Sequence, residues 1–451
     1  MMKGIIIFIE TSSPYANEKV FDGKSAVDLS YKWAKSLELP VFTISENMGE
    51  HDALVLMSEI CDKEKADFAI ISFNDLPFES LQITKELIKN HTEYKAEYTF
   101  SDGFPYGFAP EIIDKGILKI LAEKIKEEKT SSYLKRGFLY ELIKKDINSY
   151  EIETVLSDTD WRLFRFNFST EKKENFLACK ALYEAIKGKN LNAEQIASVA
   201  AKNVEIIKTL PGFYNIQLCS YEKESLYSPY CKEFKKKFSK SPEEKMEFLD
   251  FETVKVLIQN IFEFSPNAVI SLSAFGECFY HPDIIKIIEE IMKYNGLCAF
   301  IETDALLIEP STISDLKKLY EKYPAKKEEF PKLMIAVKLD SATDDFYKKI
   351  HPWAKSGDFE KAFLTTENLI SALGDCVYPQ FVRMQQNEDE LETFFRFWNE
   401  KNKGNLIIQK YDNFAGLLKE YKVADLSPLE RNVCWHIRRD MTILFNGDVP
   451  M

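Results

Sequence analysis

Five consecutive apolar residues, 5–9, stand between Gly4 and Glu10. A run this short, closed by a charge, predicts a buried first strand. The period then changes. Across residues 24–37, Ala26, Leu29, Trp33 and Leu37 fall on one helical face, which predicts an amphipathic helix. The alternation continues with strands over 41–44, 68–73 and 94–99. Helices are expected near 53–61 and 81–89, with a further one ending near 126. Strands and helices in strict alternation define an α/β layer fold.

Past residue 185 the chain turns polar, reading IKGKNLNAEQ. Asn192 followed by Gln195 predicts a capping box that opens a helix reaching about residue 209. A second α/β pattern starts at 211. Short β-rich runs lie within 210–220, 267–284 and 299–308, each followed by a turn and a helix. Later strands are expected over 332–339, 377–384 and 405–409, with helices over 359–373 and 388–399. This is the pattern of a parallel, partial (β/α) barrel. The expected layout is an α/β domain over 1–186, a helical linker over 187–210, the partial barrel over 211–425 and a tail over 426–451. In that tail, Asn446-Gly447 between TILF and DVP is a two-residue hairpin signal. The sequence stops at Met451 before a second strand is complete, so a longer tail is expected.

Composition narrows the function. The 451 residues are 45% hydrophobic and 29% charged, ordinary for a globular protein. A net charge of −13 argues against general nucleic-acid binding, which needs clustered cations. The basic run at 232–240 reads as a solvated helix face. No segment approaches the ~18 apolar residues of a membrane span, and the first apolar run is too short for a signal peptide. Eight scattered cysteines without framework spacing predict reduced thiols in a cytoplasm, with metal binding as the alternative.

Candidate chemistry gathers at the carboxyl ends of the barrel strands, which converge on one face in such a fold. Cys219 ends the first barrel strand, Cys231 lies in the loop after it, and Cys278 ends the next strand. Three thiols meeting there would offer the soft ligands that iron or another soft metal requires. The alternative is three unlinked thiols.

In order along the chain, FGECFYHPDI, IETDALL, AVKLDSATDDFYKKI and VYPQFVRM resemble the strand-end motifs of the radical S-adenosylmethionine (radical SAM) superfamily. The resemblance implies a [4Fe-4S] cluster and S-adenosylmethionine as cofactors. It implies that Gly276 allows close backbone approach, that Glu277 accepts from the cosubstrate's ammonium, and that Arg383 pairs with its carboxylate. Asp304 stands where the family has asparagine, Ala305 where it has glycine, Cys278 where it has proline and Lys338 where serine is frequent. The family's CxxxCxxC loop is altered, because counting back from Cys231 gives Ser228 and Glu224.

The tail, PLERNVCWHIRRDMTILFNGDVP, resembles the start of a SPASM domain, with Cys434 as first ligand of an auxiliary cluster. Taken together the chain resembles the spiro-SPASM family. The first domain is similar in layout to the nucleotidyltransferase and glycosyltransferase-A superfamily. By that likeness Asp75, in NDLP, is a candidate ligand for Mg²⁺ or Mn²⁺. The matching glycine-rich loop is reduced to Gly23 within residues 10–24. His281 and His351, each before proline, read as structural.

Three readings follow. The resemblance implies S-adenosylmethionine-dependent radical chemistry on a peptide or small substrate. The altered cysteine loop points instead to a non-catalytic protein that binds S-adenosylmethionine or a partner. The third reading is nucleotidyl or glycosyl transfer at Asp75 in the first domain. None calls for nucleic acid or a membrane.

Overall fold

The computed structural model describes residues 2–125, 133–208, 210–220, 247–274, 276–324, 331–351, 353–413, 416, 418–424 and 434–450. Two units divide the chain, Met1–Leu210 and Pro211–Met451.

The first unit is built on a six-stranded sheet of order β2-β1-β3-β5-β4-β6. Its strands are β1 (Gly4–Glu10), β2 (Val41–Ser45), β3 (Phe68–Phe73), β4 (Tyr98–Asp102), β5 (Glu111–Asp114) and β6 (Ile152–Leu156). The unbroken apolar run of β1 has a clear cause. Ile5, Ile7 and Ile9 feed one core, while Ile6 and Phe8 feed another on the opposite sheet face. A strand covered on both faces needs no polar alternation. β5 is the antiparallel exception, inserted between β3 and β4. The strand expected over 94–99 begins later, because Lys95 adopts a left-handed φ of 54° and Ala96 N–H closes the preceding helix on His91 O. Residues 187–210, expected as a linker, pack into this unit. The Asn192–Gln195 capping box forms with bonds of 2.9 and 3.0 Å, and Ala193, Ala197, Ala200 and Ile206 join its core.

The second unit holds a seven-stranded, all-parallel sheet of order β12-β11-β10-β9-β8-β7-β13. Its strands are β7 (Phe213–Ile216), β8 (Val269–Ser271), β9 (Cys298–Thr303), β10 (Leu333–Lys338), β11 (Val377–Arg383), β12 (Ile407–Lys410) and β13 (Asp440–Ile443). From β7 to β12 each strand lies beside its successor, the run of a partial (β/α) barrel. The TILF segment lies in and just beyond β13, which pairs in parallel with β7 rather than forming a hairpin. Ile301, Ile335, Val337 and Phe381 turn one sheet face into the core shared with the helices. The period-two pleat sends Phe300, Glu302, Lys338 and Gln380 to the other face.

Candidate functional site

At the carboxyl edge of β8 and β9, two turns are locked together by one carboxylate. Glu277, only 2% exposed, starts the helical turn Cys278–Tyr280 by accepting Phe279 N–H on Oε1 at 3.2 Å. Its Oε2 accepts Thr303 Oγ1–H at 2.8 Å and Asp304 N–H at 3.1 Å. Thr303 Oγ1 in turn accepts Ala305 N–H at 3.0 Å, and Asp304 Oδ1 accepts Leu306 N–H at 2.9 Å. Ala305 has a φ of 63°, a backbone conformation that favours glycine. Ser273 Oγ links the same two strands, donating to Glu302 O and accepting from Glu302 N–H. Glu277 and Asp304 are thus brought together, with Gly276 next to Glu277 in the chain.

Their protons are divided unequally. Burial drives the Asp304 carboxyl well above the usual carboxylate range, and the neighbouring Glu277 charge adds to the shift. Three N–H or O–H donors face Glu277, and its side chain also hydrogen-bonds the Asp304 carboxyl. Tyr347 Oη is buried with no hydrogen-bond partner among the described residues, on the helix that follows β10, and His351 just after it is buried against the Leu339 backbone. The Tyr347 and His351 rings lie 4.4 Å apart, and burial lowers the imidazole to about 4, so it is neutral near pH 7. His281, by contrast, is fully used, with Nε2 on Leu249 O at 2.7 Å and Nδ1 accepting Asp283 N–H.

Arg383 Nε and Nη2 bind the two oxygens of Glu388 at 2.8 and 2.5 Å, five residues along the chain. The sheet face opposite the core of the second unit carries a polar row that the sequence reading did not assemble. Lys338 Nζ lies 3.5 Å from Glu302 Oε1, and Gln380 Nε2 donates to Gln409 Oε1 at 2.6 Å and reaches Glu302 at 3.5 Å. The available signal was a charge or amide inside each apolar strand, in IETD, VKLD and PQFV.

The cysteines do not form the expected ligand set among the described residues. Cys219 and Cys278 share one apolar core, and Cys278 is pushed well above the ordinary thiol range by burial, then by Glu277 and Cys219. Burial therefore favours the neutral S–H, whereas a ligand must be a thiolate. Cys231 lies outside the described residues. Cys434 is exposed at the start of a short helix, Trp435–Arg439. No group of three or more His, Cys, Asp or Glu among the described residues is arranged to hold a metal ion.

Asp75 is also occupied. It is fully buried, and the Arg136 guanidinium meets both oxygens, with Nη2 donating to Oδ2 at 2.9 Å and Nη1 at 2.9 Å from Oδ1. Thr170 N–H adds a third contact at 3.1 Å. Arg136 Nε pairs with Glu171, and its plane lies 4.3 Å from the Phe73 ring centroid. A side-chain cation stands where a divalent metal was expected, so the residues present do not fit Mg²⁺ or Mn²⁺ there. Glu79 nearby is driven well above the carboxylate range by burial, with Asp75 adding to the shift.

The second unit is thus an α/β fold whose parallel sheet carries two hydrogen-bonded turns at its carboxyl edge. The chain is 36% identical over 324 residues to an uncharacterized protein of Treponema pallidum (strain Nichols), covering 70% of this chain and 84% of that one. It belongs to the family of that treponemal protein. No family model matches the chain. Among solved structures it is similar to a cytidylyltransferase from Leptospira borgpetersenii serovar Hardjo-bovis at 12% identity and a TM-score of 0.36, over 46% of this chain and 97% of that one. It is also similar to anSMEcpe with bound AdoMet and a peptide at 16% identity and 0.33, over 48% and 55%. Methylornithine synthase (PylB) gives 14% and 0.33, over 60% and 69%. No helix among the described residues is long and apolar enough to cross a membrane.

Proposed function

We propose that the second unit is a binding domain on the radical SAM plan, that its ligand is S-adenosylmethionine, and that it performs no radical chemistry. The observation that carries this reading is the set of buried polar groups with few protein partners at the carboxyl edge. Tyr347 Oη has no hydrogen-bond partner among the described residues, and the buried Asp304 carboxyl and His351 ring are met only by Glu277 and by the Leu339 backbone beyond the contacts given above. Unsatisfied buried polar atoms are costly and call for a ligand or ordered water. They sit on consecutive connections after β9 and β10, next to the Glu277 turn that the sequence motifs single out.

Tyr347 offers an O–H, and the neutral His351 ring offers the nitrogen not turned to the Leu339 backbone. Glu277 sets the two turns and supplies the fixed negative charge beside them. Glu302 and Lys338 line the sheet face below. S-adenosylmethionine when bound would bring a sulfonium and an α-amino acid group, a cationic and polar load suited to such an edge. Equilibrium titration of the full chain with S-adenosylmethionine tests the reading. Saturable binding lost in the Asp304→Ala, His351→Ala double variant supports it, and wild-type protein that never saturates rejects it.

A further inference from the structure

A second site lies at the carboxyl ends of β11 and β12. Their parallel register sets Arg383 opposite Lys410, and neighbouring strands run about 4.8 Å apart, so two cations stand side by side. Glu388 occupies Nε and Nη2 of Arg383 and leaves Nη1 without an acceptor among the described residues. Lys410 is exposed and makes no ion pair or hydrogen bond through Nζ among them. The chain then passes back across these strand ends. Gln385 fixes it by donating from N–H to Tyr421 O at 2.9 Å and from Nε2 to Lys422 O at 2.8 Å. That passage delivers Lys422, whose Nζ is only loosely paired with Glu420 at 3.6 Å. Arg383, Lys410 and Lys422 line a pocket of about 200 Å³, with Ile408, Val423 and Ala424 as an apolar wall.

Arg383 and Lys422 carry carboxylate partners in Glu388 and Glu420, and Lys410, without one among the described residues, leaves the pocket one positive charge in excess. That excess is more telling in a chain of net charge −13. An anion placed there balances that excess and accepts charge-assisted hydrogen bonds from Arg383 Nη1 and the two ammonium groups. We infer that this pocket binds a small oxyanion, a carboxylate or a phosphate, whose apolar body rests on Ile408, Val423 and Ala424. This ligand is separate from the one proposed at the Glu277 turn and goes beyond that reading.

The test is calorimetric titration of the full chain with inorganic phosphate and, separately, with acetate, chloride holding the ionic strength constant. At least one saturates in the wild type, and each of Lys410→Met and Lys422→Met weakens it about tenfold or more. Lys85→Met, in the other unit, controls for the loss of one charge and leaves the titration unchanged. Phosphate alone saturating assigns the pocket to phosphate esters, and acetate alone to carboxylates. The inference is overturned if neither saturates by about 10 mM, or if both lysine variants titrate as the wild type. It is equally overturned if S-adenosylmethionine competes one-for-one with the anion, which would make this the carboxylate subsite of the first ligand.

Discussion

Replacing Asp340 with asparagine isolates the electrostatic cost of building the strand-end edge. Asp340 follows β10, is 2% exposed, and accepts Val382 N–H on Oδ1 at 2.7 Å. Burial pushes its carboxyl from 3.8 up to about 6, against the opposing pull of that N–H and of Lys338. A carboxyl raised on folding leaves the native state at full stability below the unfolded value, and stability is lost as pH rises through the folded value. The window is therefore pH 4 to 6. At 1.36 kcal/mol per unit, the shift corresponds to at most about 3 kcal/mol above pH 6. The substituted amide keeps an acceptor for Val382 N–H and cannot ionise. Asp340→Asn is accordingly neutral near pH 4 and gains stability through the window, reaching up to about 3 kcal/mol, or ~6–12 °C, at pH 7. Urea and thermal unfolding of the full chain across that pH range measure it. A variant equal to or weaker than wild type at pH 7 would refute the reasoning and show that Lys338 compensates the charge.

Other consequences follow from particular contacts. Glu277→Gln forces an amide N–H against at least one of the donors now facing the carboxylate, so the second unit should lose about 1–3 kcal/mol in urea unfolding. Arg136→Met strips the fully buried Asp75 of its cation and should cost the first unit about 3–5 kcal/mol, part of it regained in the Arg136→Met, Asp75→Asn double variant. Gly107→Ala would set a Cβ 2.7 Å from Phe168 O at a φ of 97°, which should lower the melting temperature of the first unit by an amount equivalent to about 2 kcal/mol.

Much of the architecture was legible because the strands of both sheets are marked by strong local signals. Alternating residues of β1 serve two cores, which produces the continuous apolar run from which it was read. The Asn192–Gln195 box was equally plain, yet its helix packs into the first unit, since capping chemistry marks where a helix starts and not what it packs against. β5 was missed because four residues, EIID, are too few for a periodic signal and pair with neighbours distant in sequence. The site divides the same way. Ordered motifs at strand ends marked the turns of Glu277 and Asp304, whose contact the folded sheet shows. The partners of Arg383 and Asp75 were not readable, because Glu388 and Arg136 reach them through loop paths that no spacing rule encodes. The Lys338–Glu302 pair needed the register between β9 and β10, which only the folded sheet supplies.

The most direct test of the central claim joins ligand binding to turnover in one preparation. Full-length protein is reconstituted anaerobically with iron and sulfide, reduced, titrated with S-adenosylmethionine and then assayed for 5′-deoxyadenosine. The account predicts saturable binding that Asp304→Ala with His351→Ala abolishes, and no 5′-deoxyadenosine. Formation of 5′-deoxyadenosine, or failure of the wild type to bind S-adenosylmethionine at all, would contradict it.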